Sequence, residues 1–167
     1  VGFLFLCLEM LTSKLSKTLS HSVSVCTIFP LFYFSGCLKQ DNVKRAEEAL
    51  ESGNPAQAAE FFKAEINATI SIGNPTDPRL FLNAGLADLQ AGNLQNAEES
   101  LEVSLDANLD DPAIQAKALN GLGNIYYIRA NKFLDERNIA EARKAWEQSI
   151  KYYESSSLID GNVKAKQ

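Results

Sequence analysis

Three stretches of the chain share one local plan. "ALESGNPAQAAEFF", "DLQAGNLQNAEESL" and "LDERNIAEARKAWE" each run from a turn into an alanine followed four positions later by a large apolar residue: Ala58 with Phe62, Ala97 with Leu101, Ala142 with Trp146. Residues four apart lie on one helix face, so the small member lets a neighbouring helix approach and the large one fills the space beside it. This periodicity points to packed helical hairpins. Phe62 and Trp146 are expected in the core.

Upstream of the second and third pairs stand "FLNAGLADLQAGN" and "ALNGLGNIYYIRAN", each carrying an Asn-x-Gly-Leu-like signature on another helix. Together these features resemble the tetratricopeptide repeat, a helix–turn–helix unit of about 34 residues. In that family a small residue midway along the first helix, here Gly85 and Gly123, lets the second helix cross closely. The aromatic usual three residues later is matched by Tyr126 and replaced by Asp88. The inter-helix glycine is matched by Gly53 and Gly92 and gives way to Arg137. The loop proline is approximated by Pro78 and Pro112.

Ala58 to Ala97 spans 39 residues and Ala97 to Ala142 spans 45, both more than the family period. Five of the extra residues fall in the loop "SIGNPTDP", four around "NLDDP", and seven between Gly123 and Ala142. Seven residues are nearly two turns and keep a helix's buried face in register. The third hairpin is therefore expected to stand taller than its neighbours, with "IRANKFLDERN" projecting and Phe133 and Leu134 exposed. The resemblance thus implies an all-α fold, an α-solenoid of about three hairpins over residues 41–157. Residues 158–167, "LIDGNVKAKQ", read as a turn and the opening of a further helix.

The first 36 residues hold only Glu9, Lys14 and Lys17 as charges, and none occurs from Val23 to Cys37. Lysines, then an apolar run of about 15 residues, then small residues is the layout of a secretory signal; a membrane span asks for roughly 20. Met10 offers a start alternative to Val1. Phe34, Ser35, Gly36 and Cys37 resemble the lipobox of bacterial lipoproteins, with Phe34 in place of the usual aliphatic. The resemblance implies cleavage between Gly36 and Cys37, removal of residues 1–36, a lipid on the Cys37 thiol, and a short linker over 37–40. Two or three acyl chains hold a protein on a membrane where one is marginal. An uncleaved anchor helix, and a cytosolic domain behind a misread start, remain open. Cys7 and Cys26 lie in the removed segment, so Cys37 would have no disulfide partner.

The part behind the signal carries 14 basic and 20 acidic groups, a net charge of −6, and no basic stripe, which argues against nucleic acid. The only histidine, His21, lies in the signal, so no imidazole is left for a triad, a proton shuttle or zinc. No phosphate-binding or dinucleotide fingerprint occurs, and adjacent acids such as Glu47 with Glu48, Glu98 with Glu99, and Asp110 with Asp111 read as solvated faces. The expectation is a non-catalytic chain with no cofactor, metal or small-molecule substrate.

The family's stacked hairpins form a concave surface suited to peptide segments. Its geometry would turn Asn83, Leu86 and Gln90 of the second repeat, and Lys117, Asn120, Asn124 and Tyr127 of the third, toward that groove. The sequence thus leads to a membrane-anchored lipoprotein of the bacterial envelope, facing the periplasm or exterior, that binds protein as a scaffold in complex assembly. The alternative is a soluble cytosolic adaptor or co-chaperone.

Overall fold

The computed structural model describes residues 42–107 and 111–164, with side chains through residue 161. The expected signal segment and cleavage site, Cys37 and the expected linker over 37–40 lie outside the described residues. Six helices are described and no strand accompanies them: α1 (residues 42–51), α2 (Pro55–Ser71), α3 (Pro78–Gln90), α4 (Leu94–Ala107), α5 (Pro112–Asp135) and α6 (Ile139–Lys164). The described chain is all-α, as expected.

One turn chemistry ends the first helix of each pair, and α2 as well. The amides of Gly53 and Asn54 donate to the carbonyls of Leu50 and Ala49, those of Gly92 and Asn93 to Leu89 and Asp88, and those of Arg137 and Asn138 to Leu134 and Phe133. This paired pattern closes a helix only if the penultimate residue is left-handed, and Gly53, Gly92 and Arg137 have φ of 75°, 82° and 61°. Asn54 and Asn138 then cap the following helices, accepting from the amides of Gln57 and Glu141. The second helix α2 ends in the same way, the amides of Gly73 and Asn74 donating to Ile70 and Thr69 with Gly73 at a φ of 71°. Pro78 and Pro112 each open a first helix behind an aspartate cap, Asp77 or Asp111.

Among the described residues Arg137 is the one strained turn residue, because its β-carbon crowds the neighbouring carbonyl in that conformation. Arg137→Gly is expected to stabilise the fold by about 1 kcal/mol, less the extra freedom glycine gives the unfolded chain. Urea unfolding followed by circular dichroism measures it.

The turns make three hairpins, α1–α2, α3–α4 and α5–α6, and the apolar clusters lie between successive hairpins. Ala46 and Ala49 of α1 and Ala58, Ala59, Phe62 and Ile66 of α2 pack against Ala84 and Ala87 of α3. Leu82 of α3 and Ala97 and Leu101 of α4 pack against Ile114, Ala118, Leu122 and Ile125 of α5. Leu101 occupies the space of two missing β-carbons. A β-carbon on Gly85 would stand 2.7 Å from its Cγ, and one on Gly121 2.7 Å from its Cδ1.

A buried ion pair also joins hairpins 1 and 2. Asp88 of α3 is wholly buried, with Lys63 Nζ of α2 2.9 Å from Oδ2, while Lys63 and Asn93 Nδ2 donate to Oδ1 at 3.3 and 3.1 Å. Its place in hairpin 3 is taken by Tyr126, three residues after Gly123.

The third hairpin is the tall one, with helices of 24 and 26 residues against 13 and 14 in hairpin 2. The lengthening is twice what the sequence spacing suggests. Gly85 meets Leu101, sixteen residues on, whereas Gly123 meets Tyr153, thirty residues on, and its carbonyl accepts from Ser149. The fourteen extra residues divide equally, two turns on each arm. Ala142 and Trp146 therefore do not face Gly123; Ser149 and Tyr153 do, with serine as the small partner. Ala142 is buried as expected, but Trp146 is only half-buried. Of the projecting pair, Leu134 is exposed and Phe133 half-buried. The turn expected after residue 157 does not occur: α6 runs through Gly161 to Lys164.

Candidate functional site: an open cavity between first helices

α3 packs against α5, and the structure brings three of the expected groove residues together where they meet. Leu86, Lys117 and Asn120 line an open cavity of about 530 Å³, with Ala113 and Ala116 of α5 and Asp160 of α6. Leu86 is half-buried, while Lys117 and Asn120 are exposed. Apolar surface from Leu86, Ala113 and Ala116, with the Lys117 ammonium, the Asn120 amide and the Asp160 carboxylate in the same lining, can hold an aliphatic side chain and hydrogen-bond the main chain beside it.

Asn83 and Gln90 are exposed on α3 but do not line the cavity. Asn124 and Tyr127 part from the rest. Asn124 Oδ1 accepts from the Tyr153 hydroxyl of α6 at 2.6 Å, and its Nδ2 reaches Asn120 Oδ1 at 3.5 Å. Tyr127 lies one turn further along the same stripe. The side of α5 facing hairpin 2 is already filled by Ile114, Ala118, Leu122 and Ile125, which leaves the Asn124–Tyr127 stripe on another face.

A second cavity, of about 710 Å³, opens under the overhanging arms of hairpin 3, lined by Gln95, Glu98, Tyr126, Arg129, Phe133 and Lys144 among others. Glu98 corrects the reading of adjacent acids. Glu99 stays at the surface with Gln95, whereas Glu98 takes both Arg129 nitrogens, at 3.0 and 2.5 Å, across 31 residues of sequence. The Arg129 guanidinium also stands 5.2 Å from the Tyr126 ring centre. Burial pushes the Glu98 carboxyl up, but hydrogen bonds from Arg129 and Tyr126 outweigh it and hold the group below its ordinary range. Burial, then the bond to Glu98, push the Tyr126 hydroxyl up to about 12. The local signal was only an acid and an arginine on different helices, which pairs nothing in one dimension.

Tyr126 sets an alkaline limit. Its folded pKa exceeds the unfolded value of 10.0, so its contribution is complete below about pH 10 and is lost as pH rises toward 12. Tyr126→Phe is expected to remove that part of the alkaline unfolding, and ultraviolet titration of the phenolates should lose its latest component. Glu98 acts at the other end, contributing above 4.5 and losing its contribution as pH falls below that value.

No family model, curated protein or solved structure matches the chain. Among the described residues no cluster of three or more His, Cys, Asp or Glu could hold a metal, and no helix is long and apolar enough to cross a membrane.

Proposed function

We propose that this chain is a lipid-anchored interaction module of the bacterial envelope. Its hairpins form a superhelical stack of the tetratricopeptide kind, tethered through Cys37 and facing the periplasm or exterior. It acts without catalysis, as a scaffold that holds a peptide segment of a partner while an envelope complex assembles. Hairpin-between-hairpin cores and the contact of α3 with α5 support the stacking. The observation that carries the binding role is the cavity that brings Leu86, Lys117 and Asn120 together from two hairpins.

Amides that donate and accept suit a peptide main chain, and the apolar floor adds a side-chain preference. The test is a pull-down from detergent-solubilised membranes with residues 37–167 as bait, beside the same bait carrying Lys117→Glu. A defined partner captured by the first and lost by the second is expected. An unchanged set of captured proteins contradicts binding at this cavity.

A further inference from the structure

The last turns of α2 and the connection after them carry no charge. None occurs from Ile66 to Thr76, whereas the end of α4 and the connection after it carry Asp106, Asp110 and Asp111. Within the uncharged stretch Ile70 is 57% exposed and Ile72 62%. Singly exposed apolar residues are ordinary, so the two isoleucines take their meaning from what surrounds them.

The hydroxyls and amides beside them are satisfied within the helix end. The Thr69 and Ser71 hydroxyls donate to the carbonyls of Glu65 and Asn67 at 2.9 and 2.7 Å. The amides of Ile72 and Gly73 both donate to the Ile70 carbonyl, and that of Asn74 to Thr69. A helix end that meets its own donors in this way can enter an apolar medium, where an unmet donor is costly.

This end also lies beside the start of α1. Asn42 Nδ2 donates to Glu65 Oε2 at 3.4 Å across the hairpin, and the residues from Glu65 to Ile72 carry α2 about 10 Å past that level. The turns at 53–54, 92–93 and 137–138 stand at the opposite end of the hairpins. Cys37 precedes Asn42 by five residues, a length of chain that spans at most about 18 Å. Acyl chains on Cys37 therefore bring a membrane within reach of Ile70 and Ile72.

We propose that the end of α2 docks on the membrane that holds the Cys37 lipid, with Ile70 and Ile72 inserted at the boundary between headgroups and acyl chains. The inference rests on the lipid tether proposed above. Two isoleucines alone would not hold a protein on a bilayer, but behind a tether this short the contact is intramolecular, at an effective concentration on the order of millimolar. The stretch from Ile66 to Thr76 takes no charge into the lipid. Docking stands the hairpins on the membrane with their turns, and the tall arms of hairpin 3, pointing away from it.

Tryptophan quenching tests the docking. Cells producing the full chain are fed a labelled fatty acid, and the purified protein is reconstituted in phosphatidylcholine vesicles with brominated acyl chains. Trp146, the chain's single tryptophan, is first replaced by Phe. In that background Ile70→Trp and Ile72→Trp are expected to lose about half of their emission, since a side chain roughly 5–10 Å below the surface meets the bromines. Ile139→Trp, 54% exposed beside the turn of hairpin 3, should keep its emission. All three positions are exposed, so the helical circular dichroism should not change. Labelled protein in which Ile70→Trp and Ile72→Trp stay unquenched overturns the docking and leaves the tether standing; a cover formed by the apolar N-terminal residues or by a partner protein gives this result. Quenching of Ile139→Trp as strong as that of Ile72→Trp overturns it too, because the contact then selects no end. Unlabelled protein overturns the tether, and the docking with it.

Discussion

Leu101→Ala is expected to destabilise the fold by about 2–5 kcal/mol, the range for emptying a buried leucine site. Leu101 is fully buried and fills the space left by the missing β-carbons of Gly85, in its own hairpin, and Gly121, in the next. The loss therefore loosens a hairpin and the contact between hairpins together. The two glycines differ in what surrounds them. A β-carbon on Gly85 would also stand 3.1 Å from the Ala97 carbonyl, which is backbone and does not yield, whereas the nearest atoms to one on Gly121 belong to the side chains of Leu101 and Leu86. Gly121→Ala alone should cost about 1–3 kcal/mol by overpacking. In the Leu101→Ala background it should cost little or add stability, giving a coupling of about 0.5–3 kcal/mol. Urea unfolding of the two single variants and the double variant measures it, and simple additivity would contradict the shared-space account.

Lys63→Met is expected to cost about 3 kcal/mol, within the range for leaving a buried charge without its partner. Asp88 is wholly enclosed and Lys63 is the cation beside it, so removing the lysine strands the carboxylate in the contact between hairpins 1 and 2. Much of that contact is alanine, which offers few methylenes to compensate. Lys63→Met with Asp88→Leu should recover most of the loss, because a buried ion pair and an apolar pair of similar volume are often close in stability. A double variant no better than Lys63→Met would mean that the carboxylate is not what the lysine serves.

The hairpins were legible because their signals are local. An alanine four residues before a large apolar side chain reports a helix face, and the Gly-Asn pairs at 53–54 and 92–93 report a helix stop. Arg137 hid the third stop, yet Asn138 follows it and the backbone turns in the same way. Local signals also misled. Ala142 and Trp146 repeat the small–large spacing, so they stood in for the residues that face Gly123, but the contact is made seven residues on by Ser149 and Tyr153. "GN" at 161–162 has the form of a helix stop, and α6 continues through it.

Groove residues divided for a related reason. Helical spacing places Lys117, Asn120, Asn124 and Tyr127 near one another on α5, but it does not say which part of that arc a neighbouring helix takes. Leu86 of α3 meets the Lys117 side, and Tyr153 of α6 claims Asn124. Asp88 was visible as a carboxylate where an aromatic is usual. Its partner Lys63 was not, since the 25 residues between them close only when one hairpin packs on the next.

The proposed tether of the interaction module to a membrane through Cys37 is tested most directly by lipid labelling of that thiol. Cells expressing the full chain, or its Cys37→Ser variant, are fed a labelled fatty acid and then fractionated. The account predicts label on the wild-type protein in the membrane fraction and none on the variant. Unlabelled wild-type protein recovered in the cytosol would contradict it.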